Sequence, residues 1–228
     1  MTAIARSFPL LTLALLLVGP FVSPAGAADA RSQEVLPITP DITSVTVMHN
    51  GHPVVIRRNR DQINTINPEY AKTLGKCPPF CIQPEHLAPG VETIGEVEML
   101  HYLKRMSEGD KSILVIDSRT PAWVKRATIP GSINIPWTQL NWERGADPAA
   151  IARIMQNRFG VRRHEGLWDF SRAKTLVLFC NGMWCSQSPN NIHALLRFGY
   201  PANKLKWYRG GLQDWEVLGL TTVAGPGR

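Results

Sequence analysis

Cysteine is scarce: there are four in 228 residues, too few to staple a chain of this size, so apolar burial has to carry its stability. Beyond Val22 no apolar run is long enough to cross a bilayer, which takes about 20 residues. There is no basic stripe with interleaved aromatics of the kind that tracks nucleic acid, although Lys and Arg outnumber Asp and Glu by 25 to 18. An excess that mild suits small anionic substrates instead. No internal repeat is present. The cysteines fall in two close pairs, Cys77 with Cys81 and Cys180 with Cys185. Neither spacing is the two-residue knuckle usual in zinc sites, and no metal or cofactor is expected.

The N-terminal segment has its own logic. Arg6 precedes an apolar stretch from Phe8 to Val22 that is broken by Pro9, Gly19 and Pro20, and Ala25-Gly26-Ala27 is a small-x-small cleavage site. The expectation is a signal peptide over 1–27, cut after Ala27, and a location in an oxidising compartment, periplasmic or secreted, with no stable membrane anchor. Residues 28–92 then read as an extended arm, a β-hairpin and a Pro/Cys-rich segment. The hairpin is signalled by β-formers on both sides of Asn50-Gly51 between Ser44 and Arg58. In the segment that follows, Pro78 and Pro79 forbid a regular helix, and three roles stay open for Cys77 and Cys81: a local disulfide, which is favoured, a redox or sulfur relay with the later pair, and half of a zinc site.

From Thr93 the pattern changes to alternating helices and strands, which argues for a parallel sheet with helices on both faces. Val97, Leu100, Leu103 and Met106 stripe a helix that ends near Gly109. Ser112 to Ile116 is a buried strand that leaves Asp117 and Arg119 at its end, and 129–136 a turn with a short strand. A long connection over 137–172 holds one helix, about 148–159, and a last strand, Leu205 to Tyr208, runs into Gly210-Gly211 and a short helix with Trp215.

The organising stretch is 175–200. Leu176 to Phe179 is an unbroken apolar run, as in a strand covered on both faces, and Cys180 stands where it stops. Ser188 and Pro189 have the residue types of a helix cap and first helical position, and Gly199 those of a helix end. A loop between a strand end and a helix start turns amides and a positive dipole end inward, which stabilises an anion or a thiolate there. Cys180 is therefore expected to be acidic and reactive.

Asp117-Ser118-Arg119 after an apolar strand, then Ile129-Pro130-Gly131-Ser132-Ile133-Asn134-Ile135-Pro136, a strand ending in Cys180, and Gly210-Gly211 with Trp215 resemble the rhodanese domain over 93–222. The resemblance implies an α/β fold with helices on both sheet faces, here with an N-terminal hairpin added and a short tail at 223–228. It also implies sulfur transfer through a persulfide on Cys180. Asn181, Gly182, Met183, Trp184 and Ser186 would then form the anion cradle, with Arg119 beside it as a substrate contact or, more in keeping with the family, as half of a structural pair with Asp117. Cys185 would take up the sulfur or close a disulfide with Cys180. The implied partners are a small anionic sulfur donor, a thiol acceptor and a redox protein. Two features depart from the pattern. Cys185 or a neighbour stands where active members often carry an arginine, so another (Arg126, Arg162, Arg163 or Arg209) would have to reach in and replace it. A helix starting at Ser188-Pro189 would also enlarge the loop. Thiol-disulfide exchange by Cys180 and Cys185 and a non-catalytic binding module remain as alternatives.

Overall fold

The hairpin forms where Asn50 and Gly51 both take positive φ, 49° and 82°, the pair of left-handed residues that matches strand twist. Its strands are β1 (Val45–His49) and β2 (His52–Ile56). The computed structural model describes residues 36–72 and 82–225; the signal-peptide reading and both Cys77 and Cys81 lie outside them. After the hairpin come a one-turn helix, α1 (Pro68–Ala71), then β3 (Glu92–Ile94), α2 (Glu96–Ser107), β4 (Ile113–Asp117), α3 (Pro121–Arg126) and β5 (Ile133–Asn134). Two 3-10 turns lead to α4 (Pro148–Asn157), a second hairpin of β6 (Arg162–His164) and β7 (Leu167–Asp169), β8 (Thr175–Phe179), α5 (Gln187–Arg197), β9 (Leu205–Tyr208) and α6 (Gly211–Val217).

Five strands pair in parallel in the order β3-β9-β8-β4-β5, the α/β architecture expected from the alternation. Side chains on successive strand residues point to opposite faces, and the two cores follow that rule. Val115, Val177 and Phe179 pack with α2, α6 and the first hairpin, whereas Ile116, Leu176 and Leu178 pack with α4 and α5. Every central strand is covered twice, which is why its sequence is continuously apolar rather than alternating.

The first hairpin is marginal by itself and leans on the domain. Val45, Val47 and Ile56 are buried in the α2 core, each contributing about 1.5–3 kcal/mol by transfer from water. Asn59 N–H donates to Gly219 O and Thr221 N–H to Arg57 O, which pins the hairpin's exit to the chain after α6. Within the stretch read as a tail (223–228), Thr128 and Val223 exchange two backbone hydrogen bonds and Gly225 N–H donates to Val124 O. The 137–172 connection also holds more structure than one helix: β6 and β7 pair across a turn at Glu165 and Gly166 that takes positive φ. No helix of the described residues is long and apolar enough to cross a membrane.

Candidate active site

The C-terminal ends of β4, β8 and β9 meet on one edge of the sheet, and the polar residues placed there by the sequence are brought together. Cys180 follows β8 directly. By the alternation of β8 its side chain falls on the α5 side, and Ser188 of α5 donates its hydroxyl to Cys180 Sγ at 3.2 Å. The helix start differs from the sequence reading. Helix α5 begins at Gln187, with Ser186 at the cap position and no side-chain cap bond. Ser188 is thus inside the first turn, where its hydroxyl serves the sulfur, and the enlarged loop expected from a start at Ser188-Pro189 is not there. Capping was the wrong assignment because the cysteine competes for the same hydroxyl.

Residues 181–186 form the cradle. Its two leading carbonyls are turned away from the sulfur: Leu212 N–H donates to Cys180 O at 3.0 Å and Gln213 N–H to Asn181 O at 2.8 Å. The start of α6 therefore takes up the carbonyl ends of these peptides, and amide ends are left for the sulfur. That approach requires Gly211, which has φ +60°; a Cβ there would strike Cys180 O and stand 2.7 Å from Gly182 N. The Gly210-Gly211 pair read in the sequence is explained by this contact. Cys185 N–H donates to Gly182 O at 3.0 Å, a turn that folds Cys185 back over Cys180.

The electrostatics of the two thiols are opposite. Burial pushes the Cys180 thiol up, but the Cys185 thiol, the Ser188 hydroxyl and the amides of Ser188 and Gly182 outweigh it and bring the value down to about 7. Burial and the neighbouring Cys180 anion hold the Cys185 thiol well above the usual thiol range. These directions make Cys180 the first of the pair to ionise, while Cys185 keeps its proton. When Cys180 is protonated, its thiol donates to Cys185 O at 3.2 Å. Both sulfurs are enclosed, with Cys180 2% and Cys185 5% exposed.

Arg119 is not placed to meet a substrate. It is completely buried, and its guanidinium is bound by Asp117 at 2.6 Å, Tyr70 Oη at 2.8 Å, Asn181 Oδ1 at 3.2 Å and Ala127 O. It positions the loop through Asn181 and holds the Asp117 end of β4. The structural-pair reading is the one the geometry bears out. Met183 is exposed at the loop tip, and Trp184 is tied by its indole N–H to Gln213 Oε1 at 3.1 Å. Of the arginines considered as substitutes for the missing loop arginine, Arg126 lies over Trp123, Arg163 over Trp168, and Arg209 donates to Gln83 O.

Two contributors escaped the sequence reading. Tyr70, on α1, reaches Arg119 from the Pro/Cys-rich segment, where no helix was expected although Asn67 and Pro68 are an ordinary cap and first helical residue. Gln213 bridges Trp184 to Tyr70 O; nothing in its sequence context distinguishes it. Among the described residues no group of three or more His, Cys, Asp or Glu could hold a metal ion.

No curated protein matches the chain. Similar solved structures include the BH2092 protein from Bacillus halodurans, at 19% identity and TM-score 0.39 over 56% of this chain and 72% of that one. A rhodanese with anions from E. coli is similar at 22% identity and TM-score 0.32, over 50% of this chain and 99% of that one. Thiosulfate sulfurtransferase from Pseudomonas aeruginosa is similar at 18% identity and TM-score 0.41, over 60% of this chain and 21% of that one. A family model for the rhodanese-like domain matches residues 99–217. That match takes in β4, the Cys180 loop and all of α6 and spans just over half of the sequence, so the chain belongs to the rhodanese-like domain family.

Proposed function

We propose that the protein is a sulfurtransferase that carries sulfane sulfur as a persulfide on Cys180. The observation that carries this reading is the polar seat of that sulfur: a hydroxyl at 3.2 Å and two main-chain amides directed at a thiol with a depressed pKa. The Cys180 thiolate attacks the outer sulfur of a small anionic donor such as thiosulfate or a polysulfide; sulfite or the shortened polysulfide leaves, and Cys180–S–S⁻ remains. Ser188 and the amides of Gly182 and Ser188 stabilise the negative charge before and after transfer. A thiol acceptor then removes the terminal sulfur.

The donor stays at the level of a class. A loop arginine would add charge-assisted hydrogen bonds of about 1.5–3 kcal/mol each to the outer oxygens of thiosulfate; Cys185 occupies that place. Polysulfides, which carry no such oxygens, lose less by the exchange and are the favoured donors. Export to the periplasm or beyond, argued from 1–27, completes the proposal, and the mature N-terminus read by mass spectrometry is expected at Ala28.

The test is intact-mass measurement of reduced protein after exposure to thiosulfate or to polysulfide. Uptake of sulfur in the wild type and none in Cys180→Ser is expected. Uptake that survives Cys180→Ser and vanishes in Cys185→Ser would overturn the assignment and make Cys185 the nucleophile.

A further inference from the structure

Cys185 is a buried nucleophile that the transfer cycle leaves unused. It stands beside the reactive sulfur: the turn from Gly182 to Cys185 folds it back, its own carbonyl lies 3.2 Å from Cys180 Sγ, and the two thiols are near enough to shift each other's pKa in opposite directions. An acceptor carried by a protein or a large thiol would have to open the loop to reach a sulfur that is 2% exposed. Cys185 needs no opening, and a reactant held in place gains an effective concentration far above that of any free thiol.

We propose that Cys185 resolves the Cys180 persulfide internally, so that the protein reduces sulfane sulfur to sulfide and is left with a Cys180–Cys185 disulfide. The inference rests on the persulfide reading above. In the step, the Cys185 proton passes to the terminal sulfur as the Cys185 sulfur attacks Cys180 Sγ. The bond between Sγ and the terminal sulfur breaks, and its electron pair leaves with HS⁻. Cys180–S–S⁻ and Cys185–SH thus become the disulfide and HS⁻, with one negative charge on each side; the terminal sulfur is reduced and the Cys185 sulfur oxidised. The departing HS⁻ forms where the Gly182 and Ser188 amides already face an anion. A dithiol, acting as external reductant, opens the disulfide by exchange and returns both cysteines to thiols.

The same arrangement explains why a cysteine can stand in place of a donor-binding arginine. An arginine would hold the outer part of a substrate, whereas a thiol at that position acts on the sulfur once it has arrived.

The experiment is a single turnover. Fully reduced wild-type protein, freed of reductant, receives a substoichiometric dose of polysulfide, and sulfide release and intact mass are followed together. Expected is about one sulfide per sulfur taken up, with the protein two hydrogens lighter and a disulfide mapped to Cys180 and Cys185, reversed by dithiothreitol. In Cys185→Ser and Cys185→Ala the sulfur should stay on Cys180, with sulfide release reduced about tenfold or more until dithiothreitol is added. A wild-type protein that keeps its added sulfur with Cys185 alkylatable after denaturation would overturn this inference and leave the transfer reading intact. Absence of both uptake and sulfide in wild type would overturn both readings.

Discussion

Two strand ends lie side by side in this sheet, and they use buried polarity in opposite ways. At the end of β4, Arg119 and Asp117 are both completely buried and close on each other at 2.6 Å, with Tyr70, Asn181, Thr128 and Ala127 taking the remaining valences. At the end of β8, Cys180 is equally enclosed, yet its partners favour a charge with no counter-charge in contact: a hydroxyl, a second thiol and amides. The first end is satisfied and therefore holds shape. The second favours an anion without neutralising it, which leaves the electron pair of the thiolate available for chemistry.

The comparison breaks most completely at Cys180. Replacing it with serine is expected to abolish sulfur uptake by intact mass while changing stability in urea by only about 1 kcal/mol, because one small buried group replaces another. Asp117→Asn should do the reverse. It leaves a buried guanidinium without its counter-charge, a loss of about 3–5 kcal/mol by denaturant titration, and any protein that folds should still take up sulfur.

Gly211→Ala tests the link between the two cores. The left-handed conformation alone should cost about 1–3 kcal/mol, and the added Cβ pushes on Cys180 O and Gly182 N, so stability and alkylation rate at Cys180 should both fall. The smallest change is expected from Ser188→Ala. In wild type the thiolate population, followed by the rate of iodoacetamide trapping, should rise with pH through about 7 and decline as pH falls below that value. Loss of the hydroxyl removes a hydrogen bond to the charged form, so the midpoint should move upward by about one unit. An unchanged midpoint would mean that the amides and Cys185 alone hold the thiolate.

Much of this was legible beforehand, and the exceptions have physical causes. The strand β8, the cysteine at its end, the helix after it and the Gly210-Gly211 turn follow from a continuous apolar run and residue types with narrow backbone preferences. Ser188 was misread because a serine near a helix start has two uses for its hydroxyl, and only the position of Cys180 in space decides between them. Arg119 was open for a related reason: charge type gives no direction, and a guanidinium two residues from an aspartate can turn toward it or toward solvent. Gln213 gave no signal and Tyr70 only that of the helix it stands on, since their contacts at the site are made with segments 29 to 143 residues away.

The sequence alone determined the alternation of strands and helices from Thr93 onward, the burial of the central strands on both faces, and the place of one cysteine at a strand end, because periodicity and local backbone preference act over a few residues. Tertiary structure decided in which direction each of the two neighbouring cysteines is shifted. That choice depends on which amides, hydroxyl and thiol converge on one sulfur from β8, the loop and α5, and electrostatic interactions in a water-poor interior are set by distance in space rather than by separation along the chain.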